Sequence, residues 1–305
     1  MGVAIAQQLS RLRRVARRGV RRIVVAAVGP IEPPIDMNRY LTGKYVPLER
    51  PTAPEVVVLS GRPDDPVGSD GLPVPPQGLW LGYARTADEY IVGGRHDVET
   101  MLRLLRSAGA SMDEFVRVLD VGCGAGRMLR AFPDVGRREL WGVDISAPHI
   151  EWCERHLTPP MHFATTTTLP HLPFEDAKFD LIWCGSVFTH ISELATAWLL
   201  ELRRVVRPRG WIYVTVHTKR SIELLEGRYA DDALSGGFAH SITGIPATRQ
   251  FQSSRSLELI IGSDPDSQVF YDADGIAERW SRLLDVASVT EEAHDYQAAI
   301  VLQKR

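Results

Sequence analysis

The chain has 305 residues, 44% hydrophobic and 24% charged, with a mean hydropathy of −0.10 and a formal net charge of −3. This is the composition of an ordinary globular protein, long enough for one large α/β domain with appendages or two smaller ones. It contains no apolar run of the about 18 residues that a membrane-spanning helix needs. Seven arginines and no acid fall in residues 1–30, so a net −3 leaves −10 on the remainder. An acidic body argues against broad nucleic-acid binding, which requires a basic face. The three cysteines form no C-x-x-C pair, which suggests a reducing compartment, by default the cytoplasm.

In chain order, residues 1–28 are expected to form a basic amphipathic helix. Ile5, Leu9, Leu12, Ala16, Val20, Ile23 and Ala27 share one stripe, and arginines occupy much of the rest. Such a helix could be a targeting signal, although IVVAAVG is too short an apolar run for a secretory one. It could dock on the body or on a second subunit of a homo-oligomer. The favoured expectation is peripheral contact with an anionic inner membrane face, where each cation contributes about 1 kcal/mol. Residues 29–79 are proline-rich and read as a linker or an arm wrapped on the body.

From 80 onward, strand-like and helix-like segments alternate. A helix near 95–109 precedes strand FVRVLDV and a glycine turn, from which a helix-like segment is expected to start. ELWGVDI, helix APHIEWCERHL, MHFAT, FDLIWCG, helix ELATAWLLELRRVV and WIYVTVH follow. Alternation of this kind predicts a parallel sheet covered on both faces, with strands apolar throughout. Residues 218–270 show no clear periodicity and are expected to cover the acceptor site. The alternation then resumes with helix DADGIAERWSRLL and strands DVASVTEE and QAAIVLQ.

The densest signal is VLDVGCGAGRMLR, residues 118–130. Gly122, Gly124 and Gly126 give G-x-G-x-G, whereas the pyrophosphate-gripping pattern G-x-G-x-x-G would place glycine where Arg127 stands. Asp144 ends the next strand, 22 residues after Gly122, where a carboxylate can accept both hydroxyls of an adenosine ribose. The ligand expected is an adenosine joined to something other than a diphosphate.

These motifs resemble those of the class I S-adenosylmethionine-dependent methyltransferases. VLDVGCGAGR is similar to their first motif, GVDIS to the acidic end of strand two, residues 172–191 to the strand-four motif, and 202–217 to the helix, turn and strand that follow. The resemblance covers about 95–303. It implies a Rossmann-like α/β fold with a seven-stranded, mostly parallel sheet, helices on both faces and an antiparallel last strand. It also implies S-adenosylmethionine as cofactor, held by Asp120, Gly122, Cys123, Gly124, Gly126, Asp144, Ile145, Thr168, Leu169, Cys184 and Gly185. Asp120 would orient the amino end and Asp144 the ribose. TTTTLPH lacks the acidic residue that many relatives place before LPF, so Thr168 or backbone would have to meet the adenine.

The amino-methylating tetrapeptide Asp/Asn-Pro-Pro-Tyr/Phe is absent after strand four, which disfavours a nucleobase acceptor. His190 and His217 are candidate bases for a hydroxyl acceptor, and each could instead cap a helix or pack. His240, Arg249 and Asp264 in the irregular segment are candidate acceptor contacts. SVFTHI and the closing segments resemble a bacterial subgroup associated with polysaccharide and glycolipid pathways, which makes a saccharide or glycolipid hydroxyl the expected acceptor. A small secondary metabolite, or a non-catalytic cofactor-binding role, is the alternative. His149, Cys153 and His156 have ligand spacing, but their helix should pack on the sheet, so no metal is expected. Trp80, Tyr83, Tyr90 and Arg95 could form a lid or simply pack.

Overall fold

The computed structural model describes residues 66–232, 234–262 and 267–305. Residues 1–28, expected to form a basic helix, residues 29–65 of the proline-rich stretch, and Asp264 lie outside them. The strands are β1 (Arg117–Val121), β2 (Glu139–Asp144), β3 (His162–Thr165), β4 (Phe179–Cys184), β5 (Val206–Thr218), β6 (Glu258–Ile261), β7 (Gln268–Tyr271), β8 (Asp285–His294) and β9 (Gln297–Gln303). The α-helices are α1 (Ala87–Ser107), α2 (Ala147–His156), α3 (Ala195–Val205), α4 (Lys219–Glu226), α5 (Gly236–Thr243), α6 (Pro246–Ser253) and α7 (Ala273–Ser281).

Strands β3-β2-β1-β4-β5 are parallel neighbours in that order. β9 pairs antiparallel with β5, and β8 antiparallel with β9. These are the seven strands expected, with the last one antiparallel. The insertion adds two more: β7 continues the ladder parallel to the end of β5, with His217 opposite Phe270, and β6 pairs antiparallel with β7. Successive strand residues face opposite layers. Val118, Leu140, Leu181, Trp183 and Tyr213 pack under α1 and α2, while Leu119, Val143, Ile182, Val214 and Ile300 pack under α3 and α7. Burial on both sides explains why these strands are apolar throughout.

Three expectations need correction. α1 starts eight residues earlier than the 95 anticipated. Thr86 Oγ1 accepts the Glu89 N–H at 3.2 Å while Glu89 Oε2 accepts the Arg85 N–H at 2.8 Å, a capping arrangement that starts the helix there. No α-helix follows the glycine turn among the described residues; the chain makes turns and one 3₁₀ turn at Leu129–Ala131. Phe132 precedes Pro133 and is therefore held extended, at φ −68° and ψ 136°, which ends the turn. Finally, the aperiodic 218–270 region holds three helices of eight residues each, too short to show a periodic stripe.

The described part of the proline-rich stretch is fastened to the body by one buried guanidinium. Arg130 donates to both Asp70 carboxylate oxygens (2.6 and 2.9 Å) and to the carbonyls of Leu72 and Pro73. Further along, the Trp80 indole donates to Pro75 O at 2.7 Å and stacks on Tyr90 of α1. Arg130→Ala is expected to cost about 3–5 kcal/mol, because it leaves the Asp70 carboxylate without its partner. Urea denaturation measures the loss, and limited proteolysis should show cleavage near residues 66–80 in the variant alone.

Candidate active site

All the motif residues converge on the carboxyl ends of β1, β2, β4 and β5. At the tip of β1 the chain turns on Gly122, Gly124 and Gly126, with φ of +77°, +51° and +75°. At Gly122 a side chain is excluded twice over: by its φ, and because a Cβ would lie 2.4 Å from Val187 Cγ2 in the turn after β4. The turn is laid against β2 by Gly122 N–H and Cys123 N–H, which both donate to Val143 O. Asp144 then clamps it. Its Oδ2 accepts the Gly124 N–H at 2.8 Å and its Oδ1 the Ser146 N–H at 2.7 Å.

Asp120 is buried on β1 beside this carboxylate. Burial, reinforced by the Asp144 charge, pushes the Asp120 carboxyl well above the usual carboxylate range. The Trp183 indole N–H opposes that shift without closing a hydrogen bond of normal geometry. The Asp144 carboxylate beside the glycine turn would repel a pyrophosphate, and a cation beside Asp120 would favour its charged form again. The two acids suit a ligand that brings a diol to one carboxylate and a cation to the other. S-adenosylmethionine has both groups, so the residues present fit the cofactor expected.

Arg127, the residue that breaks the dinucleotide pattern, leaves the turn for α1. It pairs with Asp97 at 2.5 Å and lies 4.3 Å over the Tyr83 ring. The other Asp97 oxygen meets His294 Nδ1 at 2.9 Å, and His294 Nε2 meets Tyr213 OH at 2.5 Å. Burial raises the Asp97 pKa, but hydrogen bonding to His294 and the Arg127 charge outweigh it and hold the carboxyl below its usual value. The segment before α1 also covers the turn: Leu81, in the left-handed region at φ 54°, reaches to 3.3 Å from the Cβ position of Gly124. Of the anticipated lid residues, Trp80 and Tyr90 are buried in a small apolar cluster and Arg95 is exposed.

The remaining cofactor candidates divide. Cys123 and Cys184 turn their thiols into the two core layers, where burial pushes both pKa values well up, so neither thiol is presented to a ligand. Ile145 is half-buried beside Asp144, and Gly185 faces Met128 Sδ. Thr168 and Leu169 are exposed, and the Thr168 carbonyl accepts the Trp198 indole. His149 and His156 bond to Ser146 and to the Trp152 carbonyl, and Cys153 to Gly124 O. Among the described residues no cluster of three or more His, Cys, Asp or Glu side chains could hold a metal.

The two candidate bases differ sharply. His190 Nδ1 lies 3.0 Å from the Ser267 carbonyl, to which it can only donate, so Nε2 is the basic nitrogen of the neutral ring. Ser267 Oγ returns a bond to His190 O at 2.7 Å, and Gln268 flanks the ring. Ser267 lies 77 residues from His190, and no sequence signal links them. His217 is 3% exposed at the end of β5, surrounded by Phe270, Phe238 and Tyr296. Burial, with a small contribution from His190, lowers its pKa to about 3, so it stays neutral and is a poor proton acceptor. The acceptor candidates His240 and Arg249 have exposed side chains on α5 and α6, and the structure does not bring them to His190 or His217 through any hydrogen bond or ion pair.

With this geometry in view, residues 119–214 match the family model of a methyltransferase domain. The chain is 31% identical over 151 residues to a malonyl-[acyl-carrier protein] O-methyltransferase of Salmonella typhimurium, covering 48% of this chain and 56% of that relative. The chain thus spans little more than half the length of that curated relative. It is 24% identical over 246 residues to O-methyltransferase cnsE of Penicillium expansum, covering 75% of this chain and 84% of that one. The crystal structure of the PH0226 protein from Pyrococcus horikoshii OT3 superposes with a TM-score of 0.51 at 21% identity, over 72% of this chain and 92% of that one, which supports the fold. Residues 119–214 thus match a methyltransferase domain, and the cofactor that the residues of the turn fit is S-adenosylmethionine. Among the described residues no helix is long and apolar enough to cross a membrane.

Asp144→Asn should weaken S-adenosylmethionine binding by about 1.5–3 kcal/mol, a ten- to hundredfold rise in Kd by equilibrium dialysis, through loss of charged hydrogen bonds. His217 gives a pH signature. A histidine with a pKa near 3 in the fold and near 6.5 unfolded takes its proton on unfolding. Stability is thus constant above about 6.5 and falls as pH drops from there toward 3, by about 1.4 kcal/mol per pH unit. In His217→Phe the urea midpoint should decline less between neutral and mildly acidic pH than in the wild type.

Proposed function

We propose that the chain transfers the methyl group of S-adenosylmethionine to an acceptor oxygen. The observation that carries this reading is the pair of acids beside the glycine turn, with Asp144 clamped at the tip of β2 and Asp120 buried on β1 next to it. When bound, the cofactor supplies an electrophilic methyl on a cationic sulfur. The chain's own work is positional: Asp144 holds the ribose, Asp120 faces the amino end, the glycine turn leaves room for the ligand between them, and holding the acceptor in line can supply roughly 7–11 kcal/mol.

Oxygen direction is supported by the names of both curated relatives and by His190. With Nδ1 engaged by Ser267 O, its Nε2 can receive the hydroxyl proton as the carbon–oxygen bond forms. His217 cannot share that duty at neutral pH, because its ring takes up a proton only in strong acid. His240, Arg249 and Asp264 keep only the support of lying in the insertion, and no contact in the structure adds to it. The saccharide or glycolipid acceptor rests on the likeness of the closing segments alone. The peripheral membrane role rests on residues 1–28.

His190→Ala should lower kcat by about 10²–10⁴-fold with unchanged cofactor Kd, if the acceptor must lose a proton. A drop in kcat with intact binding supports the hydroxyl reading. Unchanged kcat would point to an acceptor oxygen that is already ionised, such as a carboxylate.

A further inference from the structure

His217 poses a chemical question that the transfer reaction leaves unanswered. Both its ring nitrogens are buried and lack a hydrogen-bond partner among the described residues. Each such orphan costs about as much as a lost hydrogen bond, and a leucine would fill the same space without the cost. The ring stands where β5 hands over to β7, at the end of the sheet that carries His190, Asp144 and the glycine turn. Its surroundings are aromatic: Phe270 at 4.9 Å, Phe238 at 5.5 Å and Tyr296 at 5.6 Å between ring centroids. Behind them lie Ile222, Leu225, Ala239, Ile242 and Phe251.

We propose that the acceptor is a flat, conjugated hydroxyl compound, a phenol or a hydroxylated ring system, whose ring replaces Phe238 against His217 and whose oxygen accepts the N–H of that neutral histidine while its own proton is left for His190. The inference rests on the methyltransferase reading and adds the substrate class. Phe238 is the wall that can leave. It is only half-buried, on an eight-residue helix that begins Gly236-Gly237, whereas Phe270 is fixed in the β7 ladder and fully buried. A conjugated ring regains the stacking that Phe238 gives up, with one hydroxyl to satisfy. A saccharide carries hydroxyls around its whole rim and would strand several of them in this apolar lining.

The test uses the full chain with ring-labelled histidine, saturated with S-adenosylhomocysteine, and two probes: 2-naphthol and methyl β-glucoside. Naphthol is expected to shift the His217 ring resonances saturably, assigned by their loss in His217→Gln, and the glucoside to leave them in place. Phe238→Ala should tighten naphthol binding by opening the ring's place, and Phe270→Leu should weaken it about two- to tenfold. With methyl-labelled S-adenosylmethionine, label should reach naphthol. Transfer to the glucoside, with His217 unmoved by naphthol, would overturn the inference and leave the methyltransferase reading standing. Naphthol binding that ignores both phenylalanine variants would also overturn it. A protein that fails to bind the cofactor would defeat the reading itself, and the inference with it.

Discussion

Asp144 has both carboxylate oxygens held by backbone N–H groups, one from the glycine turn of β1 and one from the start of α2. That single clamp fixes the distance between the tips of two parallel strands. It works together with the Gly122 and Cys123 N–H groups, which both donate to Val143 O, because glycines with positive φ have no side chains of their own to anchor. The clamp also fixes the position of the carboxylate at the strand tip, so the group proposed to bind the ribose is one that builds the turn. Its neighbour Asp120 is kept from ionising easily by burial and by the Asp144 charge, and a cation placed beside it would favour the charged form again.

The surrounding structure serves to hold this turn still. Arg127 ties it to α1 through Asp97, and Asp97 continues through His294 to Tyr213 on β5. Arg130 ties it to the segment before α1 through Asp70. Consecutive stretches of one loop are thus anchored to elements far apart in sequence. The helix that usually follows such a turn is absent here, and buried guanidinium groups supply the rigidity instead. The insertion brings Ser267 to His190 and Phe238 and Phe270 to His217, so it gives the two histidines their different surroundings.

How much of this could be read in the sequence depended on the range of the interaction. Strands β1 to β5 and the places of Asp120 and Asp144 were legible because two-sided burial and a glycine turn leave local marks. Residue-local signals also located His190 and His217, but not their difference, which comes from residues 77 positions away in one case and from a three-ring cluster in the other. The start of α1 is marked locally by Thr86 and Glu89, three residues apart as a helix cap requires. The missing helix was marked only by Phe132-Pro133. The Asp70–Arg130 and Asp97–His294 pairs left no mark, since charged residues of either sign are plentiful and nothing local says which will meet.

The most direct measurement is a crystal structure with S-adenosylhomocysteine bound. The ribose hydroxyls are expected on the Asp144 carboxylate, the amino-acid end over Gly122 to Gly124 near Asp120, and the sulfur facing the side of the sheet where His190 and His217 stand. A ligand bound elsewhere, or a ribose that leaves Asp144 engaged only by Gly124 and Ser146, would contradict the assignment of this turn as the cofactor site.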